Sequence, residues 1–539
     1  MAYPAVSAAS CAASAIPTPT LFGAEILSLS ASLVSNYSGT APEGYNYNHP
    51  TIRAEGVDFC NVTITYTHPG QNDTLNVENW LPLSTWNGRI QSVGGGGWVA
   101  GRFPLSYMGM TGAIGDGYVA SSTDAGLLDD HNQPAYVPDG WALVSEGNVN
   151  MYNLQNLASV SLNDQSILVK ALTESFYGQQ ADYAYWSGCS QGGRQGLMLA
   201  QRYPHAYDGI AAAAPAIYWT QFFPASIWAQ VLMQDRGEFP PPCEFDYITK
   251  AAVAACDPLD GITDGLVSDE SACDFNPFGL VGETLNCPDI GKDITLSETA
   301  AFVANATWNG PWSPDGRSLW YGPNIDARIT GNASGGAVTA DRGYAQTLCV
   351  NGTCEGAPVG LGDEWFKYYL TRNSSWSWEA LTPESFAQYF HASVQQYDSI
   401  IGTSDADLSE FRAAGGKLIT YHGTADGLIP FKDTVDYYNR ILGLDPQAQD
   451  FYRFFEVPGL SHCAGGSGGQ PTATWNALLT WVENGTAPDS LPINFTDPDG
   501  NEQSRILCPY PKRPTMSEEG NGKRVPDLED WECKNAATV

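Results

Sequence analysis

The chain has 539 residues and 57.9 kDa, with 59 acidic against 25 basic side chains, a net charge of −34 and a pI near 4.3. A surface this negative repels phosphate backbones and anionic headgroups, which excludes a nucleic-acid binder and argues against docking on a membrane. With 43% hydrophobic and only 16% charged residues it has the apolar material for large cores, unlike a disordered acidic tail.

Met1 to Leu21 contain no Lys or Arg and no long apolar stretch, so this segment does not read as a signal peptide, and any leader is expected to have been removed. Residues 1–80 are rich in Ser, Thr, Asn and Tyr, and the alternating run Val62–Thr67 predicts a β-rich region. From Trp80 to Pro215 strand-like and helical runs alternate, as in a parallel sheet. Ile90–Val93, Tyr118–Ser121, Tyr183–Trp186 and Gly209–Ala214 are the predicted strands, with a helix through Arg194–Arg202. Between Tyr218 and Glu410 the texture changes to dense Pro, Gly, Trp and closely spaced cysteines, with helical pieces near Ile248–Ala255 and Ser385–Val394. Buried strands resume at Lys417–Tyr421 and Tyr452–Val457, separated by a helix over Asp433–Leu442. The pattern predicts an α/β catalytic domain in two parts, 1–217 and 411–539, interrupted by an inserted lid at 218–410. No run approaches the roughly 18 apolar residues of a spanning helix.

The twelve cysteines form no C-x-x-C pair, so zinc spacing is missing. Nine N-x-[ST] sequons begin at Asn36, Asn61, Asn72, Asn305, Asn332, Asn351, Asn373, Asn484 and Asn494. An even cysteine count with many sequons predicts an oxidised, glycosylated, secreted and extracellular protein.

Gly188-Cys189-Ser190-Gln191-Gly192 is a G-x-S-x-G pentapeptide between a predicted strand and a predicted helix, the context of a nucleophile elbow. There the Ser190 hydroxyl stands clear, and the Gln191 amide points from the helix N-terminus at a developing oxyanion. In α/β-hydrolases the acid and then the histidine follow the serine. Asp426 comes directly after the strand Lys417–Tyr421, and His462 lies in the loop after Tyr452–Val457. Both therefore fall at the carboxyl ends of strands, where such sheets hold catalytic groups. His422 competes as base, but it precedes Asp426 by four residues on one loop, a poor triad geometry. Cys189 precedes the serine and Cys463 follows the histidine. A bridge between them would tie nucleophile to base; the alternative is two unrelated bridges.

Val93-Gly94-Gly95-Gly96-Gly97-Trp98 follows a strand and faintly mimics a dinucleotide fingerprint. A secreted protein meets little of that cofactor, so the better reading is an oxyanion loop, with Gly95 and Gly96 as donors and no organic cofactor. Asp257, Asp260 and Asp264 crowd one loop with two turn glycines, bracketed by Cys256 and Cys273. These hard oxygens suit Ca²⁺, with Ile262 and Leu266 offering backbone carbonyls; a solvated acidic turn is the alternative.

The Cys-Ser nucleophile, Asp and His-Cys in this order, with a large insertion between strands, resemble the tannase/feruloyl esterase family across essentially the whole chain. Gly188 to Gly196 is similar to that family's nucleophile motif, Ser461-His462-Cys463 to its histidine motif, and the Asp257–Leu266 loop to its structural calcium site in the lid. The resemblance implies an α/β-hydrolase fold and hydrolysis of esters of phenolic acids. It is strongest to fungal type-B feruloyl esterases, with tannases, which cleave gallate esters, as the alternative. Tannase lids are often processed at a dibasic site, and none occurs between Tyr218 and Glu410. Expected partners are small phenolic esters and feruloylated plant cell-wall saccharides, the chain being a monomer or homodimer. The lid is expected to supply an aromatic acyl pocket, with Trp365, Phe366, Tyr368 and Tyr369 as candidates. The sequence alone leaves disulfide connectivity open. The resemblance implies Cys11–Cys60, Cys189–Cys463, Cys256–Cys273 and Cys508–Cys533, and Cys243–Cys287 and Cys349–Cys354 complete the set by elimination and proximity.

Overall fold

The computed structural model describes all residues except 1, 2, 4, 131, 132, 135, 136, 332–342, 518–526 and 536–539, and it describes no side chains at 128–130, 133 and 134. Its centre is a nine-stranded sheet: β1 (Glu25–Ala41), β2 (Ile52–Thr67), β3 (Leu75–Pro82), β4 (Arg89–Val93), β5 (Val119–Thr123), β6 (Tyr183–Cys189), β7 (Gly209–Ala213), β8 (Lys417–Gly423) and β9 (Tyr452–Val457). Their spatial order is β1-β2-β3-β5-β4-β6-β7-β8-β9. The six strands from β5 to β9 run parallel, and β1 to β3 add an antiparallel flank. The β-rich N-terminus is thus an extension of the main sheet rather than a body of its own.

The parallel strands β4, β6, β7 and β8 are nearly continuous apolar runs because helices cover both faces. Trp186, Leu197, Ile210 and Leu418 pack in one core, and Tyr185, Ala211, Ile419 and Trp475 in another. After β4 the chain turns through the Pro104–Gly115 helix to β5 on one side, whereas β6 and its successors lie on the other. Such a reversal leaves a crevice at the carboxyl ends of β4 and β6, where ligands bind in sheets of this kind.

A further core is built only of residues between Ile227 and Phe390. Its helices start and stop on local signals. Pro383–Tyr397 begins two residues before the predicted Ser385 because Thr382 and Ser385 form a reciprocal cap and Pro383 occupies the first turn. Six disulfides pair Cys11–Cys60, Cys189–Cys463, Cys256–Cys273 and Cys508–Cys533, the four the resemblance implies, and Cys243–Cys287 and Cys349–Cys354, the two assigned by elimination and proximity. Among the described residues no helix is long and apolar enough to cross a membrane.

Candidate active site

Strand β6 ends at Cys189 and the helix Gln191–Arg202 starts two residues later, leaving Ser190 alone at the turn. Its φ of 62° and ψ of −123° lie outside the regions that L-residues favour, as at strained functional turns. The turn survives because small residues surround it. A Cβ at Gly188 would lie 2.5 Å from the Gly192 backbone, and one at Gly193 would lie 2.3 Å from the Ala213 carbonyl. The backbone of Ser190 is anchored by its own amide on the Ala213 carbonyl at 3.0 Å. As the first helical residue, Gln191 has an amide with no intrahelical acceptor, free for an anion.

Two side chains further along the same helix fix this region, and neither stood out in the sequence. Arg194 is fully buried and donates to Gln191 Oε1 (2.6 Å), the Ala158 and Leu157 carbonyls (3.0 Å each) and Thr403 Oγ1 (3.1 Å). Burial lowers its guanidinium to about 9, and the neighbouring Arg202 charge acts in the same direction. Gln195 clips the glycine loop to the helix: its Oε1 accepts the Gly95 amide at 2.9 Å and its Nε2 donates to the Ala100 carbonyl at 2.9 Å.

That clip corrects the expected oxyanion donors. The Gly95 amide is engaged by Gln195, and the Gly96 amide donates to the Val99 carbonyl at 3.0 Å. Neither is free for a substrate oxygen. Gly97 lines the cavity beside Ser190, and its amide has no partner among the described residues.

Asp426 and His462 meet as their order in the chain predicts. The His462 Nδ1 is 2.7 Å from Asp426 Oδ2, whose other oxygen accepts the Leu428 and Ile429 amides at 2.9 Å each. His422 also reaches Oδ2, through Nε2 at 3.1 Å. Burial alone would raise the Asp426 carboxyl, but the His462 charge and hydrogen bonds from both imidazoles outweigh it and hold the group well below the usual carboxylate range. Among the described residues no hydrogen bond joins Ser190 Oγ to His462, whose Nε2 lies 3.7 Å from Cys463 Sγ. Such bonds are commonly long without substrate and close in the reactive complex. The Cys189–Cys463 bridge nevertheless ties the residue before Ser190 to the residue after His462.

Ser190 and His462 open on a cavity of about 270 Å³. Val93, Phe103, Leu105, Val137, Val359, Leu361 and Leu428 give it apolar walls, and Tyr45, Asn46 and Tyr47 close one side. Among its described lining residues there is no Asp, Glu, Lys or Arg. The four aromatics expected there lie elsewhere. Trp365, Tyr368 and Tyr369 are buried in a cluster around Trp98, with Tyr369 stacked on Trp98 at 5.6 Å, and Phe366 belongs to the 227–390 core. Large rings on one short helical stretch bury more area against each other than a cavity wall allows.

The Asp257–Leu266 loop is held chiefly by its own acids. Asp257 accepts the Asp264 and Gly265 amides, Asp260 the Ile262 amide, and Asp264 the Leu266 amide. Asp264 also receives Arg505 Nη2 at 2.5 Å. Burial, with the Asp260 and Asp257 charges, pushes the Asp264 carboxyl up to about 6 against the pull of Arg505. The three carboxylates of this short loop form a donor set whose chemistry fits a hard divalent ion. Among the described residues no three carboxylate oxygens of this loop lie within 4.8 Å of one another.

The sequence model of the family described as tannase and feruloyl esterase matches residues 60–530. The chain is 38% identical over 526 residues to a probable feruloyl esterase of Arthroderma benhamiae, covering 96% of this chain and 92% of that protein. It is 30% identical over 521 residues to a tannase of Aspergillus oryzae, covering 88% and 86%. Among solved structures it is similar to a tannin acyl hydrolase from Aspergillus niger, with a TM-score of 0.85, 27% identity and coverage of 99% and 97%.

Proposed function

The chain belongs to the tannase and feruloyl esterase family, and from that premise we propose that it is a secreted serine carboxylesterase cleaving esters of hydroxycinnamic acids, with an α/β-hydrolase fold. The observation that carries this is the joint opening of Ser190 and the Asp426-paired His462 on a cavity whose described lining is mostly apolar and holds no Asp, Glu, Lys or Arg. In this mechanism His462 removes the Ser190 proton, Asp426 orients His462, and Ser190 attacks the ester carbonyl. The Gln191 and Gly97 amides receive the oxyanion. The alcohol leaves, and water then releases the acid from the acyl-enzyme.

The mostly apolar walls, with no Asp, Glu, Lys or Arg among the described lining residues, favour a hydroxycinnamoyl ring over a galloyl ring, whose three hydroxyls need polar partners when buried. On a panel of methyl esters of ferulate, caffeate, p-coumarate, sinapate and gallate, kcat/KM for ferulate is expected to exceed that for gallate by about tenfold or more. The reverse order would make the protein a tannase. Feruloylated cell-wall saccharides are the natural substrates this reading implies.

Residues 218–410 act as a lid in this reading. Support comes from their separate core, from Val359 and Leu361 in the cavity wall, and from Gly427, where an added Cβ would lie 2.2 Å from the Arg328 carbonyl. Six disulfides without a free cysteine among the described residues support an oxidising compartment. Asn36, Asn72, Asn351, Asn373, Asn484 and Asn494 are exposed and open to glycosylation, whereas Asn61 is tied to Glu78 at 3.0 Å. The Asn332 sequon lies outside the described residues.

Asp257, Asp260 and Asp264, with the Ile262 and Leu266 carbonyls, would hold a structural Ca²⁺ that neutralises the loop and takes no part in the chemistry. Saturation at a hundredfold excess over Kd stabilises a fold by about 2.7 kcal/mol. Calorimetry should therefore show a lower Tm in chelator, restored by Ca²⁺, and no such response in Asp257→Ala. A wild-type Tm indifferent to both would remove the ion from this reading.

A further inference from the structure

The Asp426 carboxylate serves two imidazoles. His462 approaches Oδ2 from the loop after β9, and His422, the penultimate residue of β8, approaches the same oxygen from within the sheet. His422 is completely buried, with its ring edge-on to Phe431 at 5.8 Å. Its other nitrogen, Nδ1, is 2.8 Å from Thr434 Oγ1 on the Phe431–Leu444 helix. A carboxylate only accepts, so Nε2 of His422 carries the proton; Nδ1 then accepts the Thr434 hydroxyl, which selects this tautomer.

We propose that His422 is a positioning residue that acts through Asp426. Its donation turns Oδ2 toward His462 while the Leu428 and Ile429 amides hold Oδ1, so all acceptor sites that matter are filled before substrate arrives. It also draws charge from the carboxylate and so limits how strongly Asp426 stabilises the imidazolium that forms when His462 takes the Ser190 proton. Other titratable groups face the pair. Asp433, from the Phe431–Leu444 helix, has Trp320 Nε1 on Oδ1 at 2.9 Å and no partner on Oδ2. Burial pushes Asp433 well above the usual carboxylate range, and the Asp436 and Asp426 charges act in the same direction. Tyr344 approaches from the preceding segment, and Glu456 pairs in register with His422 on β9. None of these supplies Asp426 with a donor that could replace His422.

The inference rests on the Ser190-His462-Asp426 reading, and Ser190→Ala separates the two: an active Ser190→Ala enzyme would remove that reading whatever His422 does. The test compares wild type with His422→Phe, His422→Gln and Thr434→Val on methyl ferulate, with kcat, KM and melting curves across pH. His422→Phe keeps the volume and removes both hydrogen bonds. Its kcat is expected to fall about 10- to 100-fold with KM nearly unchanged, and the acid limb of kcat/KM should move to higher pH. His422→Gln keeps a donor near the Nε2 position and should recover most of the turnover. Thr434→Val, which removes only the tautomer-setting hydroxyl, should move the acid limb in the same direction and decides the matter if His422→Phe does not fold. A folded His422→Phe enzyme with normal kcat and an unmoved limb would overturn the proposal. So would a Gln variant as impaired as the Phe variant, or a Thr434→Val profile that superimposes on wild type.

Discussion

Replacing Ser190 by alanine is expected to lower kcat about 10⁴- to 10⁶-fold, with the melting temperature close to wild type. The side chain makes no hydrogen bond that the fold depends on; the backbone of the turn is held by the Ala213 carbonyl and by close passage over Gly188 and Gly193. Alanine meets the same strain at a φ of 62° as serine does. What is lost is the one hydroxyl among the described lining residues that stands at a helix N-terminus. His462→Ala should cost about as much, and the double variant little more, because nucleophile and base work as a unit. Asp426→Asn is expected to lose about 10⁴-fold, since the amide oxygen would stay on the Leu428 and Ile429 amides and the NH2 would face His462 Nδ1, selecting the wrong tautomer. Steady-state hydrolysis of methyl ferulate checks all of these, and mass spectrometry after a serine-directed phosphonate should show an adduct on wild type that Ser190→Ala lacks. An adduct or substantial turnover in Ser190→Ala would place the nucleophile elsewhere.

Removing the Cys189–Cys463 bridge is expected to damage turnover more than folding. It joins residues 274 apart, for which the loop-entropy model gives about 5–6 kcal/mol, an upper figure that strain and residual denatured-state structure reduce. The histidine loop keeps other anchors. The Cys463 carbonyl accepts Tyr421 Oη at 3.2 Å and Gln470 Nε2 at 3.1 Å, and the Ser461 amide donates to the Gly465 carbonyl. Those bonds hold the backbone path but do not replace the covalent link between the residues next to Ser190 and His462. A displacement of about 1 Å at such a site costs on the order of 100-fold. Cys189→Ala with Cys463→Ala, assayed well below its melting transition, should therefore retain a cooperative unfolding curve and lose about 100-fold in kcat. Cys11→Ala with Cys60→Ala supplies the control, since that bridge staples the N-terminal segment to β2 away from the cavity and should change stability alone. Full turnover in the Cys189/Cys463 variant would show that the noncovalent anchors suffice.

The strands and the nucleophile turn were legible because their signals are local. Val62–Thr67 alternates within β2, and Tyr452–Val457 is β9 to the residue. Gly188 and Gly193 are glycines for want of space that any sequence with this turn must leave. The order serine, aspartate, histidine was readable for the same reason, since each follows a recognisable strand. The sequence sets His422 behind His462 as base, and its reach to the shared oxygen depends on where β8 ends and how the next loop folds back.

The remainder belongs to the tertiary structure. Composition supplied four aromatics near 365–369 but could not tell a packed cluster from a cavity wall; Trp98, more than 260 residues earlier in the chain, makes the difference by stacking on Tyr369. Four consecutive glycines marked an oxyanion loop, but which amide is free depends on Gln195, 100 residues beyond Gly95. Tyr45 and Tyr47 entered no sequence argument, because nothing local says that the turn between β1 and β2 closes the site. By itself the sequence determined the strands that carry the candidate triad and the order of its residues, since short-range backbone preference and apolar periodicity encode them. The free amide, the shape of the cavity and the second imidazole were decided only by folding, because each depends on which distant group satisfies a buried donor or acceptor first.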